Sequence, residues 1–237
     1  AILYSSVRFG GVSTYLALLL IWDIPYYIFP VIALLCNIIV VTSNSFNYIR
    51  AGNHNFKLLM PFLLGSVPLA FIGGTLIVEK KIFEILLFLV LAISGLLLLK
   101  NNKSYGEKNI KIKKLSQFIS IFIGSILGLV SGIVGIGGGI FLSPILFLLK
   151  ADKPKIIATT ASLFILINSI SGILGQLTKK VILNEIINYW ALFLTVLIGG
   201  FIGNYLNLKI FSNRILAIIT SLLVVFVAIR MGYRIFI

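Results

Sequence analysis

Between Leu115 and Leu149 the chain runs 35 residues without one ionisable side chain, and within that run Gly128–Pro144, GLVSGIVGIGGGIFLSP, holds six glycines and a proline. As one continuous helix the run would measure about 52 Å, against a hydrocarbon core of about 30 Å. The consecutive glycines Gly137, Gly138 and Gly139 each cost about 1 kcal/mol in helix propensity, and Pro144 brings no backbone donor. The run is therefore expected to break inside the membrane. Irregular backbone at that depth is tolerated only where protein or a polar cavity satisfies it, so the break points to a site.

Composition makes the membrane the solvent. Of 237 residues 59% are hydrophobic and 11% charged, with mean hydropathy +1.13, whereas soluble domains carry about 25% charged residues. The net charge of +14 comes from Lys and Arg that punctuate apolar runs. Such a pattern sets membrane orientation and attracts anionic lipid headgroups at the basic loops; it is not a nucleic-acid surface. The single cysteine, Cys36, excludes an intrachain disulfide and a cysteine metal cluster. Ala1 already lies in an apolar segment, which suggests that further residues precede it.

The uncharged runs give an all-α polytopic protein of six to eight spans. They are Ile24–Ile49, Leu58–Val78, Ile82–Leu99 (with Glu84 near its start), Leu115–Leu149, Ile156–Thr178, Ile186–Leu208 and the mostly apolar Phe211–Phe236, which carries Arg214, Arg230 and Arg234, preceded by Ala1–Trp22 with Arg8 as its one basic residue. A basic linker, residues 101–114, separates a first transmembrane half (1–100) from a second (115–237). The halves read as homologous repeats. At an offset of 128, Gly10-Gly11 matches Gly138-Gly139, Ala33 matches Ala161, Ser43 matches Ser171, and Lys81-Ile82-Phe83 matches Lys209-Ile210-Phe211. Each repeat is then a glycine-broken segment followed by three transmembrane helices, a common build of secondary transporters. With Arg8 left uncounted, if the broken segments cross the membrane, the repeats are parallel and the basic residues divide 12 to 7; if they are re-entrant, the repeats are inverted and the division is 13 to 6. Both place the linker in the cytoplasm of a multi-pass cell-membrane protein.

The break exposes backbone N–H groups at Gly135, Gly137, Gly138 and Gly139, which suit an anion because unpaired donors and the helix dipole point the same way. The competing use of such glycines is close helix packing, which the four-residue spacing of Gly124, Gly128 and Gly132 fits. Arg8 precedes Gly10-Gly11 at the position equivalent to Ile136. An arginine in the bilayer costs at least about 2.5 kcal/mol and is kept for a partner or a function, unless it snorkels to an interface. An anionic substrate is a suitable partner, with Ser5 and Ser6 as neutral donors. Asn37 in the first half and Thr159, Thr160, Ser162 and Asn168 in the second complete the candidate substrate-binding set. Asn37 and Asn168, whose amides have four hydrogen-bonding positions to satisfy, read as cavity or interhelix groups; most hydroxyls bond their own helix. The six acids lie at or near span ends and His54 in a loop, which leaves no acid–base pair, metal cluster or cofactor site and disfavours an enzyme.

The stretch GLVSGIVGIGGGIFLSPIL, followed by ATTASLFILINSISGILGQL, resembles the sulfite exporter (TauE/SafE) family. Gly128–Leu146 matches that family's glycine–proline core and Ala158–Leu163 the start of its polar-studded helix. In the first half Arg8 and Phe9 replace glycine-motif residues, and Leu16 stands opposite Pro144. The resemblance implies transport of small sulfur anions such as sulfite or sulfonates, or of carboxylates in some members. The residues alone lead to "anion". They leave open an anion channel, and a non-transporting membrane protein whose glycines serve only packing.

Overall fold

The computed structural model of the protein describes residues 25–50, 52, 54–100, 115–179, 189–207 and several helical positions between 222 and 233. Ser5, Ser6, Arg8, Gly10, Gly11 and the linker 101–114 lie outside the described residues. The fold is helical, with no strand among the described residues. Among the described residues seven helices with given bounds follow in order: α1 Phe29–Arg50, α2 Phe56–Thr75, α3 Lys80–Lys100, α4 Gln117–Val134, α5 Gly139–Leu148, α6 Pro154–Gln176 and α7 Trp190–Asn207. Of these, α2, α4 and all but the first residue of α6 are long and apolar enough to cross a membrane. Their outward residues are apolar and bare, with Leu64 67% and Phe118 78% exposed, as lipid contact requires.

The long uncharged run divides where the glycines are. Helix α4 ends at Gly135, whose φ of 85° lets it close the last turn by donating its N–H to the Ser131 carbonyl at 2.8 Å. Gly137 and Gly138 also have positive φ, 74° and 71°, a region that costs residues with a Cβ about 1–2 kcal/mol each. Helix α5 then starts at Gly139 and accommodates Pro144 in its interior. The break therefore comes from the glycines; the proline does not end the helix.

Three helices run in parallel. Gly124, Gly128 and Gly132 of α4 lie against the backbone of Phe62, Ser66 and Ala70 of α2, so residue numbers rise together. Ser171 of α6 donates to the Val67 carbonyl of α2, and Gly175 lies against Phe71. A Cβ on any of these α4 glycines would collide with main chain of α2. This bears out their reading as packing residues. With α4 and α6 parallel, the chain between them must come back, and α5 does this. Gly138 lies beside Leu127, two turns short of the end of α4, and Gly137 faces Ser169 while Gly139 faces Ala161. Helix α1 also runs against α6: Pro30 meets Gly135, Leu34 meets Gly172, and Asn37 shares Gly137 with Ser169.

Polar ties close both ends of the trio. Asn55 caps α2 by accepting from Leu58 N–H and donates to the buried Asp152 carboxylate at 2.8 Å, joining the starts of α2 and α6. At the other end Gln176 donates to the Gly132 carbonyl at 2.9 Å, and Lys179 donates to the Leu76 carbonyl and to Gln176 Oε1. Burial lowers the pKa of Lys179.

Candidate functional site

The start of α5 sits at mid-depth. It meets Ile165, the twelfth of the 23 residues of α6, and Leu127, the eleventh of the 18 in α4. A ten-residue helix is about 15 Å long, half the hydrocarbon thickness, so its N-terminus ends near the centre of the bundle. Helix starts normally receive a Ser, Thr, Asp or Asn cap. Here the capping position is Gly138, which has no side chain to accept. Among the described residues no acceptor pairs with the N–H groups of Gly137, Gly138 and Gly139. These are buried donors on the positive end of a helix dipole.

Two unpaired side chains meet this backbone. A Cβ placed on Gly137 would lie 2.8 Å from Asn37 Nδ2 and 3.2 Å from Ser169 Oγ. Asn37 and Ser169 are fully buried. Neither polar atom of the Asn37 amide, nor Ser169 Oγ, has a hydrogen-bond partner. Buried polar groups in native proteins are paired in more than nine cases in ten, so this concentration of unpaired groups around an uncapped helix start is the mark of a polar site. Gly137 is required there: any side chain would occupy the space between Asn37, Ile165 and Ser169.

The remaining candidates fall around this point to different extents. Asn168 bonds its own helix through Nδ2 to the Phe164 carbonyl at 2.8 Å, leaving Oδ1 buried and unpaired. Thr160 is buried with its hydroxyl unpaired, one turn from Phe164, whose ring touches Gly138. Ser162 is buried and, by helical spacing, shares a face with Ile165 and Ser169. Thr159 is satisfied within α6, donating to the Lys155 carbonyl at 3.0 Å. Gly135 is occupied as the α4 cap and lies against Pro30, so its N–H is not an open donor. Reasoning from sequence undervalued Ser169, Ser131 and Ser143, three buried hydroxyls without partners. The available signal was the spacing of Ser162 and Ser169 at seven residues, two turns along one face.

Among the described residues no group of three His, Cys, Asp or Glu could hold a metal ion, and Asp152 is committed to Asn55 at the bundle end. The site is uncharged on the described side. It offers donors from main chain, amide and hydroxyls, which can replace the water around a small polar or anionic species.

No solved structure matches the chain. A probable membrane transporter protein of Sinorhizobium fredii is 25% identical over 224 residues, covering 94% of this chain and 90% of the relative. A probable membrane transporter protein of Methanocaldococcus jannaschii is 28% identical over 142 residues, covering 57% of this chain and 50% of the relative. The family model for sulfite exporter TauE/SafE matches residues 1–231. The chain thus belongs to the sulfite exporter TauE/SafE family of membrane transporters.

Proposed function

We propose that the protein is a secondary transporter of a small oxyanion, sulfite or an organosulfonate, bound at mid-membrane between two glycine breaks. The observation that carries this reading is the uncapped start of α5 at Gly137–Gly139 beside the unpaired Asn37 amide and Ser169 hydroxyl. Backbone N–H groups and Asn37 Nδ2 hydrogen-bond the oxyanion, and the dipole of α5 contributes partial positive charge where the anion sits. In this reading Arg8, with Ser5, Ser6, Gly10 and Gly11, supplies the other half of the site and a full positive charge for the anion. Thr160, Ser162 and Asn168 border it.

The two halves, residues 1–100 and 115–237 joined by the linker 101–114, form inverted repeats. Support comes from α1 and α6, which are equivalent at the 128-residue offset and run in opposite directions. Alternating access then follows from one repeat moving against the other around the site. The protein is multi-pass in the cell membrane, with the linker and the starts of α2, α4 and α6 in the cytoplasm. Arg50, Lys57, Lys150, Lys153 and Lys155 all lie at that end, as a positive-inside bias requires.

The test is sulfite flux into proteoliposomes for Arg8→Ala and Ser169→Ala, each first checked by gel filtration. Both are expected to reduce flux at least tenfold, with the folded protein intact. Unchanged flux in both variants would overturn the site assignment. A saturable flux distinguishes a transporter from a channel sharing the same residues.

A further inference from the structure

A second candidate site lies on the outside of the bundle, at its basic end. The first turns of α2 and α4 bound a groove of about 440 Å³ lined by Phe56, Lys57, Met60, Pro61, Leu64, Gln117 and Ile121. Its polar residues, Lys57 and Gln117, lie at the first turns of the two helices. From there Met60, Pro61 and Leu64 continue along α2, about 10 Å from Lys57 to Leu64. The backbones of α2 and α4 touch farther along, at Gly65 against Ile121 and Ser125, which closes the inner end. The groove is thus polar at the mouth and apolar along its length, and its α2 wall is open to the surroundings, with Met60 and Leu64 more than half exposed.

Charge selects the occupant. Among the described residues this end carries the exposed cations Arg50, Lys57, Lys150, Lys153 and Lys155, and its one acid, Asp152, is buried and held by Asn55. At the opposite end Lys80, Lys81 and Lys179 are offset by Glu79 and Glu84. Pro61, one turn after Lys57, has no N–H for the Lys57 carbonyl, so an acceptor is left at the mouth beside the ammonium. A phosphate with hydroxyl donors on its headgroup matches that pair: its charge meets Lys57, and a hydroxyl meets the carbonyl.

We infer that this groove seats one anionic phospholipid of the phosphatidylglycerol type, with its phosphate on Lys57 and the upper part of an acyl chain along Met60, Pro61, Leu64 and Ile121. The site stands on the membrane setting and the charge distribution, and is independent of which anion is transported. Because Ser66, Ala70 and Gly124–Gly132 behind the groove hold α2 against α4, the lipid stiffens the trio from outside.

The test is native mass spectrometry of the delipidated protein in detergent, titrated with phosphatidylglycerol, phosphatidylcholine or glycerol phosphate. One phosphatidylglycerol is expected to remain bound under conditions that remove phosphatidylcholine. Lys57→Gln is expected to weaken its retention on the order of fivefold, the value of one lysine at an anionic surface. Leu64→Trp, which fills the groove, should abolish retention, and Lys81→Gln at the other end should leave it unchanged. Equal retention of both lipids, or unchanged retention in Lys57→Gln and Leu64→Trp, would overturn the proposal. So would binding of glycerol phosphate as strong as that of the lipid, or a groove variant that changes the mass of the oligomer rather than its lipid content.

Discussion

Replacing Asn37 by leucine should make the protein more stable and less active. The Asn37 side chain is fully buried in α1, and neither its amide nitrogen nor its oxygen has a hydrogen-bond partner. Leaving a buried polar group unsatisfied costs about 1–3 kcal/mol, and leucine fills a similar volume without that cost. Asn37→Leu is therefore expected to gain about 1–3 kcal/mol. For a chain of this size the melting temperature moves about 2–4 °C per kcal/mol, so a rise of several degrees is expected in detergent without sulfite. The same change removes Asn37 Nδ2 from its place beside Gly137, and sulfite flux in proteoliposomes should fall at least tenfold. Stability traded for function in this way is the signature of a binding residue. If Asn37→Leu lowers the melting temperature, the amide is satisfied in the folded protein and the reasoning fails. If it raises stability and leaves flux unchanged, Asn37 is a buried flaw outside the site.

Two further outcomes test the frame that holds the site. Gly132→Ala places a methyl group against the Ala70 carbonyl and 2.7 Å from Gly74 N, and should cost about 1–3 kcal/mol by forcing α2 and α4 apart; an unchanged thermal midpoint in detergent would refute direct backbone contact. Asn55→Asp keeps an acceptor for Leu58 N–H but sets a carboxylate against Asp152, so it should melt lower than Asn55→Ser, which also retains a cap. Equal midpoints would show that Asn55 acts only as a cap.

Much of the helical layout was legible in the sequence because lipid imposes a simple rule: backbone groups must be paired inside the segment, so spans read as uncharged runs. Leu58–Val78 corresponds to α2 at Phe56–Thr75, and Ile156–Thr178 to α6 at Pro154–Gln176. The glycine break was legible too, since three successive glycines cannot hold a helix and Gly137 and Gly138 take positive φ. The packing role of Gly124, Gly128 and Gly132 followed from their spacing. The identity of the site's side chains did not follow. Asn168 and Ser169 are neighbours in sequence, yet Asn168 turns an amide N–H back to Phe164 while Ser169 faces Gly137. Thr159 and Thr160 differ in the same way, one satisfied by Lys155 and the other unpaired. A one-residue step rotates a side chain by about 100° around the helix, and only the neighbouring helices decide which of the two faces polar company.

By itself the sequence determined that this chain belongs in a membrane, where the described helices α2 and α6 run, and that the run from Leu115 to Leu149 must break at its glycines. Charge counting left the direction after the break undecided, since both arrangements put most cations on one side. Tertiary contact decided it: α4 and α6 lie parallel through Gly132, Gly172 and Gln176, and a chain joining two parallel neighbours has to return. The return starts α5 at mid-depth beside Asn37 and Ser169. Residues 132 positions apart meet there, which no local pattern can specify.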